Sequence, residues 1–124
     1  MRYAIDVNTR DNVLLKCGGH CAYCGGSIDI LSMHVDHYYP VALEQYCREQ
    51  LGIWVHSFSN LMPSCWICNR YKKQMLPDAF REALKNIDEK KHPAIFQKYP
   101  RPFESFYFER LGVRVPKPYF KSWA

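Results

Sequence analysis

"SCWICNRYKK", residues 64–73, contains a C-x2-C cysteine pair followed by residues that favour a helix. No glycine or proline interrupts residues 65–75, so we expect one helix there that ends before Pro77. Positions i, i+3, i+4 and i+7 share one face of a helix. In this segment those positions hold Cys65, Cys68, Asn69 and Lys72. The spacing therefore predicts that two thiols, an amide and an ammonium group lie on the same side.

A second C-x2-C pair, Cys21 and Cys24 in "CAYC", predicts the other half of a metal site. Two such pairs supply the four thiolates of a tetrahedral structural zinc site. A redox dithiol needs only one pair, so the two together favour zinc. Cys17 is a conceivable substitute ligand, although we expect both it and Cys47 to be small buried apolar residues. We expect His20 to be a neighbour of the site and not a ligand.

"HVDHYYP", residues 34–40, places a carboxylate and an imidazole side by side where a strand should end. Neighbours on a strand point to opposite faces, so Asp36 and His37 can share a site only if the chain leaves the sheet there. Pro40 favours that exit. Carboxylate and amide oxygens suit Mg²⁺ or Mn²⁺, which makes Asp36 and Asn69 candidate metal ligands. His37 is a candidate general base, because the ordinary pKa of histidine lies near neutral pH.

The remaining segments predict an α+β architecture. We expect a short first helix, a strand or hairpin, a helix or helical turn, a second strand with its exit, a further helix and a strand in the tail. Their ranges are 8–19, 27–37, 41–52, 53–63, 77–91 and 103–111. Asn8 or Thr9 is the expected cap of the first helix. We expect a single domain over residues 1–124, with a core at about 15–75 and a helix and basic, aromatic tail over 76–124.

The charge is unevenly distributed along the chain. Residues 1–66 carry four Lys/Arg and six Asp/Glu, whereas residues 67–124 carry thirteen and six. A basic half favours a polyanion partner, of which nucleic acid is the commonest, and a solubilising surface explains it as well. The candidate nucleic-acid contacts are Arg70, Lys72, Lys73, Arg114, Lys117 and Lys121. The last three alternate with aromatic residues, a combination that suits a phosphate backbone with stacked bases or an ordinary packed tail.

The sequence contains neither an apolar leader nor a stretch of the roughly 20 apolar residues that would span a bilayer. We therefore expect a cytoplasmic protein without a membrane partner. Thiols stay reduced in the cytosol, which also favours metal binding by the cysteines.

Three motifs, "CAYCG", "VDHYYP" and "SNLMPSCWICNRYKK", resemble in order and spacing those of the HNH endonucleases. The resemblance covers about residues 15–75 and implies a ββα-metal (His-Me finger) core with a four-cysteine structural zinc. The name-giving positions are matched by His37, Asn60 and Asn69, the last in the Asn variant of the site. The later "FREALKNI" and "FYFERLG" resemble the tail of small free-standing members, many of them phage-encoded.

The resemblance also implies a role for each matched residue. His37 would be the general base that activates water, and Asn60 would hold the loop and orient His37. Asp36 and Asn69 would bind a catalytic Mg²⁺ or Mn²⁺. Products would carry 5′-phosphate and 3′-hydroxyl ends. The 22 residues between His37 and Asn60 include an expected helix and are more than in many compact members.

Substrate contacts follow from the same resemblance. Lys72 would contact the backbone of the nucleic acid, with Arg70 and Lys73 as helpers. A solvated helix face is the alternative interpretation of Lys72 and Lys73.

The leading hypothesis is a metal-dependent DNA endonuclease that nicks or cuts both strands, with RNA not excluded as substrate. One alternative is a zinc-stabilised nucleic-acid-binding module without catalysis, and another is a thiol-redox protein built on one C-x2-C pair. A pure binding module has no reason to assemble Asp36, His37 and Asn69, whereas an enzyme needs all three. A phage or host protein partner, the oligomeric state and the sequence specificity are left open.

Overall fold

The computed structural model describes residues 5–119 and confirms an α+β fold built around a ββα unit. Strands β1 (His34–His37) and β2 (Leu61–Ser64) form an antiparallel pair in which Asp36 lies opposite Met62 and His37 opposite Leu61. Helix α3 (Trp66–Lys72) follows β2 directly. The remaining helices are α1 (Val7–Leu15), α2 (Glu44–Tyr46), α4 (Pro77–Lys85), α5 (Pro93–Phe96) and α6 (Tyr107–Leu111).

The connection between the two strands is helical, as the sequence predicts. A 3-10 turn (Val41–Leu43), α2 and a π-helical turn (Cys47–Leu51) follow one another. Gly52 ends this segment with a φ of 67°, a left-handed conformation that glycine adopts without steric cost. The chain then returns through a 3-10 turn, Phe58–Asn60, into β2.

Both predicted strands are shorter than expected. Within residues 27–37 only His34–His37 pairs with β2, because a turn stabilised by Asp29 precedes it. In that turn Asp29 Oδ1 accepts hydrogen bonds from Leu31 N (3.0 Å) and Ser32 N (2.8 Å). The predicted second strand, 53–63, begins only at Leu61, since the preceding residues form turns.

Two further expectations were wrong. The cap of α1 is Asp6, whose Oδ1 accepts a hydrogen bond from Thr9 N at 2.7 Å, and not Asn8 or Thr9. The tail segment 103–111 contains helix α6 and no strand. Glu109 Oε1 accepts a hydrogen bond from Phe106 N at 2.8 Å, and Gly112 ends the helix with a φ of 75°. These local caps outweigh the strand preference of its aromatic residues.

An aromatic core joins the tail to the ββα unit. The ring of Tyr23 lies 5.3 Å from that of Phe80 on α4 and 5.2 Å from that of Phe106. Phe108 N also donates a hydrogen bond to Ala22 O at 2.8 Å. The tail therefore supports the backbone between Cys21 and Cys24. None of the helices within residues 5–119 is long and apolar enough to cross a membrane.

Candidate functional site

Four thiols meet between the first cysteine pair and the start of α3. The sulfur atoms of Cys21, Cys24, Cys65 and Cys68 all lie within 4.8 Å of one another. In a tetrahedral site with Zn–S bonds of about 2.3 Å, neighbouring sulfur atoms are about 3.8 Å apart. The Sγ atoms of Cys24 and Cys65 are 3.8 Å apart. The cluster therefore fits a zinc ion in both ligand type and size.

Local backbone geometry prepares these ligands. Gly25, with a φ of 81°, closes the loop of the first pair and donates from its N–H to Cys21 O at 2.9 Å. Cys65 caps α3, and hydrogen bonds from neighbouring thiols, that of Cys21 first, lower its pKa. A thiolate is the form that binds metal. Cys17 lies outside the cluster in the core, where burial raises the pKa of its thiol to about 11.

The carboxylate of Asp36 is buried at the junction of β1 and α3. Its Oδ2 accepts a hydrogen bond from the hydroxyl of Tyr23 and lies 3.1 Å from Nζ of Lys72. The same Nζ donates to His37 O at 3.0 Å. Burial raises the pKa of Asp36, whereas Lys72 and Tyr23 act in the opposite direction. Lys72 itself is fully buried, so in this structure its ammonium group holds the end of β1 against α3.

Asn60 closes the long connection between the strands. Its Oδ1 accepts a hydrogen bond from Tyr39 N at 2.8 Å, while Nδ2 donates to Tyr39 O at 3.0 Å and to Val55 O at 2.7 Å. Tyr38 N donates to the main-chain oxygen of Asn60 at 2.8 Å. The side chain is completely buried. Asn60 thus fixes the path of the chain immediately after His37.

His37 is half-buried at the end of β1, next to Asp36 in the chain. Burial, followed by the nearby charges of His56 and Lys72, lowers the pKa of His37 to about 4. Its imidazole is therefore neutral near pH 7 and can accept a proton. Asp36 and His37 are adjacent in sequence but lie in different environments. Asp36 is buried and ion-paired, whereas His37 is only half-buried.

His56, to which no sequence pattern assigns a role, lies next to His37 in the structure. Their ring centroids are 5.5 Å apart at an interplanar angle of 88°. His56 Nε2 also lies 3.9 Å from Glu44 Oε2, and the ring of Trp54 is 6.0 Å away. No local sequence pattern predicts this contact, because it depends on the path of the helical connection between the two strands. Tyr23 was missed for the same reason, since its partner Asp36 is thirteen residues away.

Asn69 is half-buried on α3 and lines a cavity of about 590 Å³ together with Lys73 and Gln74. The ion pair between Lys72 and Asp36 joins this helix to β1. Both described partners of the buried Asp36 carboxylate, the hydroxyl of Tyr23 and Nζ of Lys72, contact Oδ2. An amide and a carboxylate on joined elements fit the hard-ligand chemistry of Mg²⁺ or Mn²⁺.

The remaining predicted contacts are spread over the surface. Lys73 is exposed, and the guanidinium of Arg70 lies 5.8 Å from the ring of Trp66. Arg114 and Lys117 are exposed on a segment without helix or strand. Lys121 lies outside the described residues.

Comparison with known proteins agrees with this geometry. Residues 21–74 match the family model described as HNH endonuclease, a range that includes the four thiols of the cluster, His37, Asn60 and Asn69. No curated protein matches the chain in sequence. In structure the chain is similar to part of the Type II-C Cas9 enzyme from Actinomyces naeslundii, with 20% identity and a TM-score of 0.51. That similarity covers 95% of this chain and 14% of the Cas9 chain, and it concerns the fold.

Proposed function

We propose that this chain, which carries an HNH endonuclease domain at residues 21–74, hydrolyses phosphodiester bonds of DNA with the help of one divalent metal ion. The observation that carries the proposal is the environment of His37. Its imidazole is neutral near pH 7 because burial lowers its pKa to about 4, and it follows Asp36 directly at the end of β1. A neutral imidazole in this position can accept a proton from water.

In this proposal, His37 takes a proton from water while the water oxygen forms a new bond to phosphorus. The bond between phosphorus and the 3′ oxygen then breaks, and that oxygen takes up a proton. The products carry 5′-phosphate and 3′-hydroxyl ends. When bound by Asp36 and Asn69, Mg²⁺ or Mn²⁺ would stabilise the charge on the phosphate and the departing oxygen.

Other residues position this chemistry. Asn60 holds the chain after His37 through its bonds to Tyr39 and Val55. A structural zinc at the four cysteines would fix the start of α3 and thereby the position of Asn69. The reduced thiols that this site requires favour a reducing compartment such as the cytoplasm.

We assign the nucleic-acid contacts to five basic residues, of which Arg70, Lys73, Arg114 and Lys117 are exposed in the structure. Arg70 and Lys73 lie close to Asn69 on or beside α3, and Arg114, Lys117 and Lys121 belong to the basic tail. Lys72 would reach a phosphate only by leaving its ion pair with Asp36. We therefore propose that Lys72 acts mainly by holding Asp36.

The test is plasmid cleavage by zinc-loaded protein with Mg²⁺, with Mn²⁺ or with neither, beside the variants His37→Ala and His34→Ala. His34 is an exposed histidine on the same strand and serves as the matched control. We expect metal-dependent loss of supercoiled DNA that only His37→Ala abolishes. Accumulation of open circles would indicate nicking, and linear product would indicate double-strand cutting.

Two outcomes would contradict the proposal. Equal loss of activity in both variants would show that His37 has no special role. Binding without cleavage of any DNA or RNA tested would favour a non-catalytic, zinc-stabilised binding module.

A further inference from the structure

A cavity of about 610 Å³ lies between α3 and residues 91–95. The α3 side is formed by Trp66, Arg70 and Tyr71, and the opposite side includes Lys91 and His92. Its volume is within the range of about 300–1,000 Å³ that is usual for small-ligand sites. The family match ends at residue 74, so one wall of this cavity comes from outside the matched range.

The cavity presents aromatic faces to a ligand. The indole of Trp66 is exposed over 54% of its surface. The rings of Tyr71 and His92 pack edge to face, with centroids 5.2 Å apart at 75°. An exposed indole beside a fixed pair of rings is a platform on which a nucleic-acid base can stack.

The charges around the cavity have one sign. Arg70, Lys73 and Lys91 line it, and none of the described lining residues is acidic. The guanidinium of Arg70 lies 5.8 Å from the centre of the Trp66 ring. Phosphate oxygens favour such clustered cations, so the same cavity offers both a base-stacking surface and phosphate contacts.

A second cavity adjoins this one along α3. The neighbouring cavity of about 590 Å³ is lined by Asn69, Lys73, Gln74 and Met75. Lys73 and Met75 line both cavities. The two cavities therefore adjoin each other at Lys73 and Met75.

We propose that the Trp66–His92 cavity binds one unpaired nucleotide of the substrate strand. The base stacks on Trp66, and Arg70, Lys73 and Lys91 hold the adjoining phosphates. The inference rests on the proposed function, because that function makes a nucleic acid the ligand. A base inside a duplex is stacked and paired, so the site selects DNA with an unpaired segment over fully paired DNA.

The test is a binding measurement, which separates this site from catalysis. Zinc-loaded His37→Ala protein, without Mg²⁺ or Mn²⁺, is titrated into a fluorescently labelled blunt duplex and into the same duplex extended by a thymidine overhang. We expect the overhang to bind about tenfold more tightly, the gain that one stacked base provides. Adding Trp66→Ala should remove this difference while leaving zinc content and circular dichroism unchanged, because Trp66 is largely exposed.

A pair of neighbouring lysines supplies the matched control for charge. Lys91 lines the cavity, whereas Lys90 is also exposed but lies outside the lining. Lys91→Ala should weaken binding of the overhang more than Lys90→Ala does.

Equal affinity for both probes, equal weakening of both by Trp66→Ala, or equal effects of the two lysine variants would overturn the inference. Cleavage of plasmid without any preference for the overhang would refute this site but not the enzyme. A preference for the overhang in a wild-type chain that cuts neither DNA nor RNA with Mg²⁺ or Mn²⁺ would refute the enzyme but not the site.

Discussion

Replacing Lys72 by methionine should destabilise the protein strongly while leaving the shape of the buried side chain nearly unchanged. The substitution removes the ammonium group that lies 3.1 Å from Asp36 Oδ2 and donates to His37 O at 3.0 Å. Both side chains of the ion pair are buried. The carboxylate of Asp36 would then retain only the hydroxyl of Tyr23 as a described partner.

The magnitude follows from the separation and the burial. At 3.1 Å and an effective dielectric constant of about 20, the Coulomb attraction is about 5 kcal/mol. Removing one partner of a buried pair costs about 3–5 kcal/mol, because the other charge is left in the interior. We therefore expect Lys72→Met to lower the free energy of unfolding by about 3–5 kcal/mol. The pKa of Asp36 should rise further, since the cation that lowers it is gone.

The assay is urea unfolding followed by circular dichroism at a fixed excess of Zn²⁺, so that metal binding contributes equally to every variant. Lys73→Met is the matched control, because Lys73 is adjacent but exposed, and it should change stability by no more than about 0.5 kcal/mol. In a double variant with Asp36→Asn, the cost of Lys72→Met should shrink, since no buried charge is left unpaired. A loss below about 1 kcal/mol in Lys72→Met, or additive effects in the double variant, would refute the buried pair.

Three further predictions concern the rest of the site. Asn60→Asp should lower the free energy of unfolding in urea by about 1–3 kcal/mol, because a carboxylate oxygen would face the two backbone carbonyls to which Nδ2 now donates. Unchanged stability would contradict these two hydrogen bonds. The ring of His37, followed by NMR, should titrate near pH 4, because burial lowers its pKa. Cleavage activity should therefore be lost on the acid side only below pH 6.5, since the neutral base disappears as the pH falls through that pKa. Titration of the ring near pH 6.5 would contradict its burial. Elemental analysis should find no stoichiometric zinc in Cys65→Ser. The variant Cys47→Ser should retain its zinc, because Cys47 is buried outside the cluster.

Ligand types, their spacing and short-range periodicity were enough to predict much of this protein from its sequence. Two C-x2-C pairs are typical of a four-thiolate zinc site, and the four thiols lie close together in the structure. The helix after Cys65 and the end of β1 at His37 also follow from local patterns. The family match over residues 21–74 confirms the resemblance that these motifs carry.

Long-range packing set the features that local patterns did not predict. The sequence predicts that Lys72 contacts the substrate from a basic helix. In the fold its ammonium group lies next to the buried carboxylate of Asp36. His56 reaches His37 only because the helical connection between the strands folds back. The cavity beside Trp66 needs residues 91–95, which are distant in sequence from α3. A side chain's neighbours across the fold determine whether its charge faces solvent or a partner, and no sequence window of a few residues contains them.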